Sequence, residues 1–366
     1  MNAIIVFALF IIPTFTQATP EIVSESKQST RNNFHFLFFM HGDSVLVGTT
    51  YFGGDGQEHI FFWSFPEQER SFIVDLRKNE WVEHIAKNCD DDRIVISTYC
   101  LDRNRMSPYL GCYSLSQRKW IWKVYAFHQQ EIYVEKISFS DEGKKVLVLD
   151  RTQIYTLDAE TGKIIRNNEA LRNEYPVRNK VDTHAFFSPK GKYCCIWQTF
   201  IRESPLFDWL HSEGNQELAL WDMEKNQMVL KMTNSNIGTA AAWFSNSEDS
   251  LFLSHFDGSV SVWFIPNGKK VFEWKVGTSG LWYLFSDKGG RFIGTYSLER
   301  VKIWNYPYVA PVMEFQDIID MTSHIWEDNS PMCLSDDGKF FAIEKLGVLY
   351  LYETTSWKEI WCKRIG

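Results

Sequence analysis

Short apolar runs recur along the chain, at 45–49, 94–99, 146–149, 251–254, 292–296 and 340–343. Each is rich in branched or aromatic residues and bounded by turn formers, the signature of strands rather than helices. In front of several stands an aromatic-Ser-x-x-Gly unit: Phe139-Ser140-Asp141-Glu142-Gly143, Phe187-Ser188-Pro189-Lys190-Gly191 and Phe285-Ser286-Asp287-Lys288-Gly289. Leu334-Ser335-Asp336-Asp337-Gly338 replaces the ring with Leu, and Phe244-Ser245-Asn246-Ser247-Glu248 has lost its Gly. The units that begin near Phe39 and Ile85 are degenerate. Asp or Pro early and Gly late is turn chemistry, so each unit predicts a reversal between antiparallel strands. The following strand delivers a column of large side chains, Trp63, Tyr113, Leu157, Trp221, Trp263, Trp304 and Tyr352, and a fourth strand comes after it, as at 271–276 and 359–364. The stretch IYTLDAETGKII, 154–165, shows the join: the end of a third strand, a turn at Thr161-Gly162-Lys163, and the start of a fourth.

Seven column positions make seven units of four strands. A period of this size is the mark of a propeller, in which each four-stranded blade buries its faces against its neighbours. The expectation is an all-β chain, a single seven-bladed β-propeller of four-stranded antiparallel blades over 34–366. Tight hairpins join second and third strands near Arg151, Asp257, Leu298 and Lys345. One anomaly remains, because the chain ends in its own outermost strand instead of borrowing one from the amino terminus.

From Phe34 to Ile365 the pattern resembles the WD-repeat propeller family. Trp221-Asp222 is the family dipeptide; elsewhere the column is followed by Ser64, Ser114, Asp158, Phe264, Asn305 and Glu353. The Gly-His dipeptide is absent, although His128 and His324 lie at about the right distance ahead of their Ser turns. The Asp-His-Ser-Trp network that locks blades in that family is therefore expected to be mostly missing. LDAETGK also resembles the repeat of quinoprotein dehydrogenases, some of which set a bridged pair of adjacent cysteines against their quinone, as Cys194-Cys195 would here. The run 192–197 reads as a strand, where neighbouring side chains point to opposite faces, and this opposes such a bridge. Amine-dehydrogenase heavy subunits, exported seven-bladed propellers, resemble the chain more loosely.

The chain of 366 residues is 45% apolar and 23% charged, a globular balance, with 15 Trp and 28 Phe to fill repeated packing layers. A net charge of −8 gives a phosphate backbone no general attraction, which excludes nucleic acid as the expected partner. At the amino terminus, Ile4 to Ile12 is a short apolar core followed by Pro13 and Thr16-Gln17-Ala18, a small-x-small cleavage pattern. Residues 1–18 therefore read as a signal peptide and 19–33 as a polar segment. The apolar run is shorter than the roughly 20 residues a membrane span needs, so the mature protein is expected in the periplasm or outside the cell, without a stable span. Of the seven cysteines, Cys100 and Cys112, on consecutive strands of one hairpin, are the pair best placed for a disulfide; the alternative is that the cysteines are small buried hydrophobes.

No nucleophile elbow, phosphate loop or His pair at helical spacing is present, so no cofactor and no catalytic residue is assigned. Asp90-Asp91-Asp92 lacks the alternation of a calcium loop and reads as a solvated turn. Elaboration concentrates on three connections between second and third strands. The first carries Phe52 and Asp55, the second Arg103 and Arg105, and the third, ESPLFDWLHSEG, carries Phe207, Trp209 and Leu210. Aromatic and basic residues on propeller loops point to partner contacts. The expected function is non-catalytic, a binding or scaffolding platform for a protein partner, with a glycan or small ligand as a further option. The alternatives are a quinoprotein-type or amine-dehydrogenase-like component of a redox enzyme and, third, a hydrolase or lyase acting on a sugar or lactone.

Overall fold

The computed structural model describes residues 33–364, apart from 41–42, 52–58, 65–69, 77–79, 89–91, 101–108, 128–129, 132–133, 141, 151–152, 169–180, 201–215, 235–238, 256, 277–282, 288–291, 298–299, 307–310, 317–331 and 346. The described strands form a β-propeller of four-stranded antiparallel sheets. Seven such sheets follow one another along the chain, at 33–75, 80–124, 134–168, 181–234, 239–275, 283–315 and 332–364, here numbered 1 to 7. Each is made of four consecutive strands in the order 1-2-3-4. A two-stranded ribbon, Ala126–Phe127 with Gln130–Glu131, sits between sheets 2 and 3. The only described helix is a single 3-10 turn, Ile265–Asn267, and no described helix is long and apolar enough to cross a membrane.

The apolar core is divided among the seams. Seven clusters of buried side chains each draw on two neighbouring sheets, from sheets 1 and 2 around to sheets 7 and 1. Alternation along each strand makes this possible, because successive side chains enter opposite seams. In sheet 4, for example, Cys194, Ile196 and Trp221 pack toward sheet 3, while Cys195, Trp197 and Leu220 pack toward sheet 5. The column residues all lean the same way: Trp63, Tyr113, Leu157, Trp221, Trp263, Trp304 and Tyr352 each enter the seam with the preceding sheet. Each large ring is thus the wedge between its own sheet and the one before.

At every column residue the pairing of third and fourth strands slips by one position. The extra residue on the fourth strand is Ser71, Ile121, Ile165, Val229, Val271, Val312 or Ile360. Five of these, Ile165, Val229, Val271, Val312 and Ile360, are exposed apolar side chains. The fourth strand is the outer edge of its sheet, where unpaired backbone groups invite another chain. A bulge twists that edge, and the lysines beside it, such as Lys269, Lys270, Lys358 and Lys363, make strand addition still less favourable.

Sheets 1 and 7 share no strand, which resolves the anomaly of the chain end. Leu37, Phe39, Leu46, Phe61 and Trp63 of sheet 1 pack on Cys333, Ala342, Leu349 and Leu351 of sheet 7. Polar contacts complete the join. The Asp43 carboxylate accepts the backbone N–H groups of Asp336 and Asp337 at 2.8 and 2.9 Å. Lys87 of sheet 2 donates to the Phe39 carbonyl at 2.6 Å and to Asp336 at 2.9 Å, so one ammonium ties three sheets together.

The expected disulfide is corrected. Cys112 is a free, buried thiol that pairs across the hairpin with Val95, whereas Cys100 lies five residues farther along that strand. At ~3.3 Å per residue the two backbones are roughly 16 Å apart, far beyond the reach of a disulfide.

Candidate binding face

In a four-stranded antiparallel sheet, the 1–2 and 3–4 turns emerge at one end, and the 2–3 connection and the exit to the next sheet at the other. The two ends of these sheets differ in how their polar groups are used. At the turn end, Gly143, Gly191, Glu248 and Gly338 donate their N–H groups to the carbonyls of Ser140, Ser188, Ser245 and Ser335. The Ser hydroxyl explains its own recurrence: in sheets 4, 5 and 7 it accepts the N–H of the residue five positions on, at 2.9, 3.1 and 2.8 Å. The position after the column braces the 3–4 turn. Asp158 accepts the Thr161 N–H at 2.8 Å and its hydroxyl at 2.7 Å, and these bonds hold its carboxyl below the ordinary range. Asp222 accepts the N–H groups of Glu224 and Lys225, and Ser114 that of Gln117. The two turns of one sheet are also tied together, as by Ala159 N–H to Lys144 O and Met223 N–H to Lys192 O.

Neighbouring turns interlock as well. Gly191 has φ +72°, and a Cβ there would lie 2.0 Å from the Ser140 Cβ of the preceding sheet. Where Asp43 and Glu248 occupy the same left-handed position, at φ 68° and 59°, their carboxylates accept N–H groups of the preceding sheet's turn, with Glu248 taking that of Lys190 at 2.7 Å. Asp92, of the acidic run, accepts the Ser114 hydroxyl and the Ser116 N–H, so it serves the turn; Asp90 and Asp91 lie outside the described residues.

The opposite end carries the connections 52–58, 101–108 and 201–215 and the exits to following sheets. Phe52, Asp55, Arg103, Arg105, Phe207, Trp209 and Leu210 all lie outside the described residues, as do His128 and His324. Their anchor strands place the first two connections on adjacent sheets, 1 and 2, and the third on sheet 4. The base of the 101–108 connection is clamped: Thr98 N–H donates to the Tyr109 carbonyl at 2.9 Å, and Tyr109 N–H to the Thr98 hydroxyl at 3.2 Å.

Two clusters that start at this end and run across their sheets escaped the sequence reading. In sheet 5, His255 Nε2 lies 2.8 Å from the Ser261 hydroxyl, which also accepts the Trp263 indole N–H at 3.0 Å. Burial pushes the His255 imidazole below its ordinary value. His, Ser and Trp are thus chained within one sheet, while the Trp221 indole N–H of the lone Trp-Asp has no hydrogen-bond partner among the described residues. In sheet 2, the rings of Tyr109 and Trp120 meet edge-on at 5.6 Å, Tyr125 stands 5.8 Å from Tyr109, and the Lys123 ammonium lies over both Tyr109 and Trp120. Alternating rings around Gly111 were the available signal, obscured because Lys123 looks like an ordinary solvated charge on a strand.

Cys194 and Cys195 are free thiols that point into different seams, so the adjacent pair is not bridged, and burial pushes both thiols up, away from the thiolate form. No group of His, Cys, Asp and Glu among the described residues is placed to hold a metal ion. No protein-family model matches the chain, and comparison with curated proteins finds no relative.

Proposed function

We propose that the seven sheets are the blades of one seven-bladed, WD-repeat-like propeller, exported after cleavage behind Ala18, whose connection-bearing end is a non-catalytic platform for a protein partner. The observation that carries this reading is the asymmetry of the two ends. At the turn end, Ser, Asp and Gly are engaged in bracing turns and seams. The other end has long connections hung from rigid strands, the arrangement in which loops carry binding residues on a fixed scaffold. Phe207 and Trp209 anchor the partner, with Arg103 and Arg105 supplying directional charge.

The test is capture of a partner, identified by mass spectrometry and then rebound as a purified protein. Paired Phe207→Ala/Trp209→Ala and Arg103→Ala/Arg105→Ala changes are expected to abolish rebinding, and unchanged rebinding by both would refute the platform. An absorption spectrum and metal analysis of protein from its native host separate this from a redox role, since a stoichiometric quinone or metal would overturn the non-catalytic assignment. Mass spectrometry of the mature chain is expected to begin at Thr19.

A further inference from the structure

Apart from Tyr125, every large apolar side chain that is exposed among the described residues lies in the first three residues of a fourth strand. At ~3.3 Å per residue these side chains stand within about 10 Å of the 3–4 turns, on the outer rim of the turn end. They occupy five consecutive sheets, 3 to 7; at the same slip in register sheet 1 has Ser71, and Ile121 of sheet 2 is half-buried. Protection of the edge does not require them. Lysines alone deter strand addition, and a bulge residue facing water is served by any polar side chain, yet Ile165 and Val271 are 55% and 56% exposed.

The charge around this rim opposes that of the chain. The fourth strands of sheets 3 to 7 carry eight Lys and Arg against three Glu, in a sequence where acids outnumber bases by 46 to 38. Two of the three acids are already neutralised, Glu273 by Lys270 at 2.7 Å and Glu314 by Arg300 at 3.5 Å. Arg166, Lys269, Lys363 and Arg364 are exposed and have no ion-pair partner among the described residues.

Aliphatic side chains beside unpaired cations match a surface that offers hydrocarbon beneath anionic headgroups. A polyanionic glycan would use the charges but has nothing for the aliphatics. A bilayer is also laterally uniform, so a contact repeated from sheet to sheet meets it equally well at each position.

We propose that the outer rim of the turn end, over sheets 3 to 7, is a peripheral docking surface for an anionic lipid bilayer, with Ile165, Val271 and Ile360 entering the headgroup boundary and Arg166, Lys269 and Lys363 pairing with lipid phosphates. It goes beyond the platform reading and does not depend on it; where both hold, the connection-bearing end faces away from the bilayer.

The experiment is flotation of the full chain with phosphatidylcholine vesicles, with or without an equal part of phosphatidylglycerol. Wild-type protein is expected to float with the anionic vesicles alone, less so as salt is raised. Arg166→Gln/Lys269→Gln/Lys363→Gln is expected to weaken binding about 100-fold, about 5-fold per charge. Ile165→Ser/Val271→Ser/Ile360→Ser is expected to weaken it about 10-fold with the salt dependence unchanged. All six positions are exposed, so urea unfolding of both variants should match wild type, and Val271→Ser alone repeats the apolar test with the least change to the fold.

Failure of wild type to float, or equal flotation with neutral vesicles, overturns the proposal. Binding that the charge variant retains does so too, because it then comes from elsewhere in the chain, such as the apolar run 4–12. Binding that the apolar variant retains in full, or retention on heparin without flotation, makes the rim a surface for soluble polyanions and equally overturns it. Partner capture by the loop variants does not enter these assays, so the rim and the platform stand or fall separately.

Discussion

Asp43 is the polar key to the join between the first and last sheets, and replacing it by Gly isolates that role. The carboxylate accepts two N–H groups, from Asp336 and Asp337, and is 7% exposed. A hydrogen bond to a charged group contributes about 1.5–3 kcal/mol. Burial pushes the Asp43 carboxyl above its ordinary value against the pull of both amides, so desolvation consumes part of the gain and the lower end applies, about 3 kcal/mol for the pair. Gly relieves the left-handed strain at φ 68°, returning about 1 kcal/mol, but loosens the unfolded chain by about 0.4–1 kcal/mol. The expected net loss is about 2–3 kcal/mol. Glu248→Gly makes the same backbone change but removes one bond, to Lys190, and is expected to cost about 1 kcal/mol. Urea unfolding measures the totals, while hydrogen exchange at the Asp336 and Asp337 amides and alkylation of Cys333, buried in the same seam, localise the opening. If Asp43→Gly costs no more than Glu248→Gly, or leaves Cys333 as protected as in wild type, the carboxylate does not hold the ring shut.

Four further outcomes are expected. Gly191→Ala should cost about 2–5 kcal/mol in urea unfolding, from left-handed strain plus the clash with Ser140, whereas Gly347→Ala, at φ +77° with open space around it, should cost only about 1–2 kcal/mol. Acidification from pH 7.5 to 5.5 should destabilise the wild type more than His255→Gln. Burial lowers the folded imidazole's pKa against the pull of Asp257 and Glu273, the unfolded state therefore binds more protons as pH falls through its ordinary value of 6.5, and a parallel decline in both proteins would refute this. Among the described free cysteines, a bulky thiol reagent should modify only Cys362 in the native protein, because Cys112, Cys194, Cys195 and Cys333 are buried; peptide mapping reads the result. Replacing 201–215 by Asn-Gly should leave stability unchanged or raise it by up to about 2 kcal/mol through loop closure, and a loss would mean the connection carries structural load.

Much of the fold was legible because each blade announces its turns. Ser188, Ser245 and Ser335 recur since a hydroxyl is needed to catch the N–H five residues on, and Asp158 and Asp222 recur since a carboxylate must brace the next reversal. The column was legible for the same reason, a large side chain being required to wedge each seam. The slip in register beside it was hidden, because Ile165 in the run Ile164-Ile165 looks like one more alternating strand residue. The Cys100–Cys112 pairing failed because hairpin membership says nothing about how far along the strands two residues sit. Asp43 was hidden too, since its unit lacks the Ser and its partners lie near residue 336, across a contact that only ring closure creates. His255 and Lys123 belong to clusters found in single blades, so self-similarity, the tool that located the turns, passed over them.

That last failure bears on where function resides. Repetition marks what every blade must do, and in this chain it falls at the turn end, where Asp43, Gly191 and Glu248 each lock a turn to that of the preceding sheet. The features that break repetition, the chain from His255 and the ring cluster at Tyr109, begin at the opposite end, from which the long 2–3 joins of sheets 1, 2 and 4 also leave. A closed ring of seams allows this separation, because each connection leaves from strands already fixed by two neighbouring sheets and need not contribute to holding them. Residues there are free to vary by blade, and on the proposed platform reading that variation is what lets the face recognise an asymmetric partner.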